Sequence, residues 1–295
     1  MIIDPPGLTR RCLTRALCLV LSGLGGWAQA LQVADDRGIK VTLGQPPQRI
    51  VSLLPSLTET VCELGQCAHL VGVDRNSNYP ASVTKLPQVG GGLDPNIEAI
   101  VALKPDLVLM ATSSRAGERL QSLGLKVLAL EPKSHADVRR VIEILGGVLG
   151  VPDAGRHWRV IDAAASAAAQ SLPAKLKQTR VYFEVNAGPY AAGESSFIGE
   201  TLTRLGVKNI VPASLGPFPL LNPEYVVRAN PDVIMVSAFT DSGMSARPGW
   251  AALRAIRLQR VCVFTPAQSD VLVRPGPRMA EGARLMARCL LDKAA

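Results

Sequence analysis

Two glutamates stand at matching places in this chain: Glu98 and Glu224 each follow an asparagine by two residues (Asn96, Asn222) and precede a Pro-Asp pair by seven. In the first turn of a helix such a carboxylate favours the positive end of the helix dipole by about 0.3 to 1 kcal/mol. Placed once per repeat, it also offers two equivalent anionic points to a two-fold partner. Other residues with chemical potential are Ser56 behind an apolar run, Tyr79 in a polar loop, the glycines Gly90 to Gly92, and the histidines His69, His135 and His157. They do not assemble into a catalytic set. There is no G-x-S-x-G elbow, Walker A sequence, H-E-x-x-H or C-x-x-C, and no His has a visible reason to approach Ser56. Ser56 with Glu59 three residues on reads as a capping box. The glycine run lacks dinucleotide spacing and reads as a turn.

The elements that must carry the glutamates read the same way twice. Asn96 to Met110 recurs as Asn222 to Val236, sharing Asn, Glu, Val, Pro and Asp at the same spacing. Each copy parses as an Asn N-cap, a short amphipathic helix, a Pro-Asp stop and a buried strand of a parallel sheet. Ser196 to Gly206 resembles Ser56 to Gly65 with one extra residue, so the repeat extends upstream. Strands are expected at 49–54, 70–73, 126–130, 180–185 and 260–264. Helices are expected from Pro55 to Leu64, from Arg115 to Leu123 and from Pro277 to Leu291, with a loop running from the last strand through Arg274. Alternating strands and helices imply α/β lobes with parallel, doubly wound sheets. Between them, Asp153 to Leu172 is Ala-rich and unbroken by Gly after Gly155, which predicts a single long connecting helix of roughly 25 to 30 Å. The expected division is 31–152, a connecting segment 153–175, and 176–295.

The 295 residues suffice for two lobes with separate cores. Arg10, Arg11 and Arg15, an apolar run from Ala16 to Leu24 and Ala28-Gln-Ala30 form the pattern of a secretory signal peptide over 1–30, cut after Ala30. No later apolar run is long enough to span a bilayer, so an exported protein without direct membrane insertion is expected. Losing three Arg and one Asp with that segment lowers the formal charge from +8 to +6. The basic residues are scattered and aromatics are few, which argues against nucleic acid binding. Cys62, Cys67, Cys262 and Cys289 remain, and four cysteines in an oxidising compartment allow three pairings, with Cys62–Cys67 able to close a small loop and free thiols the alternative.

In open α/β sheets ligands bind beyond the carboxyl ends of the strands, which here means loops carrying Ser56, Tyr79, Gly90 to Gly92, Thr112 to Arg115, Glu184 to Asn186, Phe218, Phe239 and Gln268 to Arg274. At these residues the chain resembles a known family. Arg49-Ile-Val-Ser-Leu-Leu-Pro-Ser-Leu-Thr-Glu, Leu70-Val-Gly-Val-Asp, Tyr79-Pro, Leu86-Pro-Gln-Val-Gly, Asn96 to Met110 and the spacing to Pro277-Arg278 are similar to the periplasmic cobalamin-binding proteins of ABC importers. These belong to a wider group serving cobalamin, haem and ferric siderophores. The resemblance covers nearly all of 49–290. It implies two Rossmann-like lobes joined by a rigid helix, a cleft for one large ligand, a monomer that docks on a permease dimer, periplasmic location, and no enzyme activity or cofactor beyond the transported ligand.

Carried over position by position, the resemblance implies docking roles for Glu98 and Glu224 and ligand contacts for Tyr79, Phe218, Asp270 and Arg274. Gly92 and Ala111 fall where the family has tryptophans walling the corrin, so this chain departs from the pattern there. That departure keeps haem in view, with Tyr79 as an iron ligand, since a phenolate is a natural partner of ferric iron. A ferric siderophore is a further alternative, with Arg115 and Arg274 as its cations. From another class, an exported hydrolase would have to use Ser56.

Overall fold

The computed structural model describes residues 1–2, 31–237 and 243–294, so residues 3–30 of the expected signal peptide and Phe239 lie outside the described residues. An N-terminal hairpin, β1 (Leu31–Ala34) and β2 (Lys40–Leu43), precedes the first α/β half. That half runs β3 (Ile50–Ser52), α1 (Pro55–Glu63), β4 (Leu70–Val73), α2 (Ile97–Ala102), β5 (Leu107–Met110), α3 (Gly117–Ser122), β6 (Val127–Ala129) and α4 (His135–Val148). Then α5 (Gly155–Gln170) leads to the second half: β7 (Arg180–Asn186), β8 (Tyr190–Ala191), α6 (Phe197–Arg204), β9 (Lys208–Asn209), α7 (Pro223–Ala229), β10 (Val233–Ser237), α8 (Arg254–Arg257), β11 (Val261–Phe264), α9 (Pro266–Val273) and α10 (Met279–Ala294).

The first sheet has order β4-β3-β5-β6 and is parallel throughout. The second has order β11-β10-β7-β8, parallel except for the β7–β8 pair, with β9 also joined in parallel to β7. Two parallel sheets flanked by helices are the architecture the strand-helix alternation predicts. Leu107 to Met110 and Val233 to Val236 are fully buried, as strands covered on both faces must be.

Both copies of the repeat fold as expected at their start. Asn96 Oδ1 accepts from Ala99 N at 2.9 Å and Asn222 Oδ1 from Glu224 N at 2.9 Å, each satisfying an orphan donor of the helix it opens. The Asp of each Pro-Asp pair then ties the repeat to the preceding strand, Asp106 accepting from Gln48 N and Arg49 N, and Asp232 from Arg180 N.

Three expectations change. The capping box at Ser56 does not form: Leu54 is the N-cap of α1, Pro55 fills the first helical position without needing a donor, and the Glu59 carboxylate is drawn instead to two arginines. Ser196 does cap α6, accepting from Gly199 N at 3.0 Å, so the two similar sequences open their helices differently. The expected loop after β11 is helix α9, set by a capping box between Thr265 and Gln268. The connecting helix, expected over 153–172, is 16 residues long and does not stand alone, because α4 precedes it and α10 packs along it. One core cluster joins Ile161, Ala165 and Ala168 of α5 to Met279, Ala280 and Ala283 of α10 and to Phe197 of α6.

Both possible local and distant pairings of the cysteines are made. Cys62–Cys67 closes the end of α1, and Cys262–Cys289 staples β11 to α10.

Candidate ligand cleft

The loops at the carboxyl ends of the two sheets come together around a cavity of about 470 Å³. Its lining is drawn from both halves: Glu131, Pro132 and Lys133 behind β6, Val185 on β7, Ser195 to Ile198 at the start of α6, Pro217 and Phe218 before α7, and Val273 and Pro275 at the end of α9. Cavities of about 440 and 420 Å³ lie elsewhere, one beside Asp106 and Lys126 and one beside Cys262 and Cys289, and each belongs to a single half. The interlobe cavity is mostly apolar with a few polar groups at its edge, the composition of small-molecule sites.

The expected site residues divide into those at the cleft and those that hold its frame. Phe218 lines the cavity and is 50% exposed. Tyr79 is 46% exposed on the loop after β4; its ring covers the Arg278 guanidinium at 4.2 Å, and its hydroxyl has no hydrogen bond among the described residues. Gly92 and Ala111 do not line the cavity. A Cβ at Gly92 would stand 2.9 Å from the Leu53 carbonyl oxygen, so the backbone is drawn in too closely there for the large side chain of the resembling family. Ala111 is buried at the end of β5, beside Ser114, whose hydroxyl is buried without a partner among the described residues.

Arg274 and Asp270 sit at the frame. Arg274 Nη1 donates to Glu59 Oε1 at 3.0 Å and to Asn78 Oδ1 at 2.8 Å, and Nη2 donates to Asn76 O at 3.0 Å. Nη2 also lies 2.9 Å from Asp270 Oδ1, and Asp270 Oδ2 accepts from Asn78 Nδ2 at 2.8 Å. Arg278 completes the cluster with two bonds to Glu59, at 2.9 and 2.6 Å. Glu59 is 3% exposed, and a carboxylate so buried is tolerable because two cations pair with it in charge-assisted bonds, Arg278 in bidentate geometry and Arg274 through one nitrogen. Sequence reasoning assigned Glu59 to a helix cap; its partners lie more than two hundred residues away, and no local pattern reveals them.

Beneath this cluster a polar thread runs through buried Ser52, Thr58, Ser77 and Asp74. Burial raises the Asp74 carboxyl above its usual range, against the Ser77 hydroxyl, the Asn76 amide and the nearby Arg274. In the second half Glu184, expected from sequence on a loop, is fully buried on β7. It pairs with Arg247 at 2.6 and 2.8 Å and accepts from Tyr182. Burial, then the Glu184 charge, push the Tyr182 phenol far above its ordinary pKa. Arg247 in turn covers Trp250 at 4.5 Å. These contacts brace the wall behind the cleft.

His69 approaches Gln48 O, His135 bonds Thr201, and His157 bonds Glu63, so none activates Ser56. Among the described residues no cluster of His, Cys, Asp or Glu is placed to hold a metal, and no helix is long and apolar enough to cross a membrane. Glu98 and Glu224 are exposed, and neither carboxylate has an ion-pair partner among the described residues.

Comparison with known proteins agrees with this geometry. The sequence profile of the periplasmic binding proteins matches residues 50–267. An uncharacterised ABC transporter substrate-binding lipoprotein, YvrC of Bacillus subtilis, is 31% identical over 88% of this chain and 84% of its own. A cobalamin-binding protein of Halobacterium salinarum is 30% identical over 86% of this chain and 72% of its own. Among solved structures, the periplasmic haem-binding protein RhuT of Roseiflexus sp. RS-1 superimposes with a TM-score of 0.71 at 26% identity, covering 84% of this chain and 99% of RhuT. A cleft between two α/β halves and a profile match over most of the chain lead to one conclusion: the chain belongs to the periplasmic binding protein family, among relatives that are substrate-binding proteins of ABC transporters.

Proposed function

We propose that this chain captures cobalamin or a related corrinoid in the interlobe cleft and delivers it to the permease dimer of an ABC importer, acting as a monomer in the periplasm after export by the segment 1–30. One observation carries the choice of ligand. The cleft walls are mostly apolar, the arginines closest to them, Arg274 and Arg278, are already neutralised by Glu59 and Asp270, and the one lysine of the lining, Lys133, is matched there by the Glu131 carboxylate. A corrinoid ringed by neutral carboxamides suits such a site, whereas the two carboxylates of haem would call for unpaired cations, as would an anionic ferric siderophore. Phe218 then offers its face to the corrin, and Tyr79 its exposed edge. The exposed, unpaired Glu98 and Glu224 serve as the docking points, one per half. With α10 packed along α5, the halves keep nearly the same separation with and without ligand.

Haem is the second reading, favoured by the unpartnered Tyr79 hydroxyl, a phenol available to ferric iron. Gel filtration after incubation with cyanocobalamin or with haemin separates the two. Co-elution of one corrin per chain supports the main reading; retention of haem, with a visible band altered by Tyr79→Phe, replaces it. Retention of neither overturns both.

A further inference from the structure

The repeat places Glu59 and Glu200 at the same position, each opening the run Glu-Thr-x-x-x-Leu-Gly that ends its helix. Both reach out of their own half. Glu59, on α1, grips Arg274 at the end of α9 and Arg278 just before α10. Glu200, on α6, accepts from the backbone N–H of His135 at 2.7 Å, at the first residue of α4. In each case the partner is the segment that follows the last strand of the opposite sheet. Secondary contacts double each grip: Asn78 to Asp270 and Arg274 to Asn76 on one side, His135 Nε2 to Thr201 Oγ1 at 2.9 Å and the His135 ring edge-on to Phe197 at 5.0 Å on the other.

The two grips flank the cavity. Val273 and Pro275 of its lining adjoin Arg274, Lys133 adjoins Ser134 and His135, and Phe197 and Ile198 stand one turn before Glu200. Neither glutamate lines the cavity.

We propose that Glu59 and Glu200 are paired latches that hold the two halves at a single separation, so that the width of the cleft is set by two residues that do not touch the ligand. The two latches differ in strength. Glu59 is buried between two guanidinium groups, while Glu200 holds one backbone donor and is partly accessible. Loss of Glu59 therefore loosens the pair more than loss of Glu200, and loss of both leaves α5, α10 and the secondary contacts to hold the halves.

The inference is tested on the unliganded protein, independently of which ligand is correct. Nitroxides on ketone-bearing residues introduced at exposed Leu93 and Leu215, one per half, report the interlobe distance by pulsed electron resonance. Wild type should give one narrow distribution, Glu200→Ala a broader one, Glu59→Ala broader still, and the double variant the broadest. A double variant that is folded by circular dichroism and keeps the wild-type distribution overturns the proposal. Should variants at Glu59 fail to fold, Glu200→Ala alone decides: a distribution as narrow as wild type overturns it, and a broadened one supports it.

Discussion

Arg274 and Glu59 form an ion pair between the two halves, 3.0 Å from Nη1 to Oε1, with the arginine side chain 10% and the glutamate side chain 2% exposed. An arginine that sequence resemblance would turn toward a ligand is thus part of the frame. Removing one partner of a buried pair costs about 3 to 5 kcal/mol when the other is stranded. Glu59 keeps Arg278, so Arg274→Ala should lower stability by about 2 to 3 kcal/mol, read by denaturant unfolding of the unliganded protein. A loss under about 0.5 kcal/mol would show that the pair contributes little and that Arg274 is free for the ligand.

His135 gives the protein a pH dependence. Burial, reinforced by the Arg204 charge, lowers its pKa from 6.5 to about 4. Because the unfolded chain binds the proton more readily, stability is fully present above about pH 6.5 and is lost as pH falls toward about 4, by about 3 kcal/mol at most. His135→Gln should flatten the stability curve across that window relative to wild type, whatever its effect at pH 7. Parallel curves for the two proteins would contradict the burial of a neutral imidazole.

The staple between β11 and α10 closes a loop with a sequence separation of 27. On chain-entropy grounds it is worth about 3 to 4 kcal/mol, against about 2 for the short Cys62–Cys67 loop. Replacing both Cys262 and Cys289 by Ser should therefore lower the unfolding temperature more than replacing both Cys62 and Cys67. The reverse order would mean that native-state geometry outweighs loop closure.

The repeat made the two-sheet plan legible from sequence, because Asn96 and Asn222, Asp106 and Asp232 act through local bonds and short-range register. β4 and β5 fall on the expected residues. What sequence concealed is non-local. Glu59 looks like a cap residue until Arg274 and Arg278 arrive from the far end of the chain, and Gly92 looks like a missing aromatic until the Leu53 carbonyl is seen against it. Helix α9 carries a start signal in Thr265, Pro266 and Gln268 that the loop expectation leaves out of account. Of the expected contacts, Phe218 needed only its position before a repeat helix to be placed at the cleft.

Glu98 and Glu224 should matter to transport and not to folding. Both are exposed and unpaired among the described residues, so Glu98→Lys with Glu224→Lys should leave unfolding within about 0.5 kcal/mol of wild type. At a desolvated interface close charge pairs are worth several kcal/mol, so the same double variant should abolish uptake while solution binding is retained, and each single reversal should give a partial loss. Undiminished uptake by the double variant would place docking elsewhere.

Phe218 tests the cleft itself. It is half-exposed and packs no core, so Phe218→Ala should leave the unfolding temperature unchanged. Titration calorimetry of wild type and Phe218→Ala with cyanocobalamin, and in parallel with haemin, is the most direct measurement. The account predicts one cyanocobalamin per chain and a loss of affinity of about tenfold or more in the variant, the effect of removing about 1.4 kcal/mol of contact. Equal affinity of the two proteins, or no binding of either ligand to wild type, would contradict it.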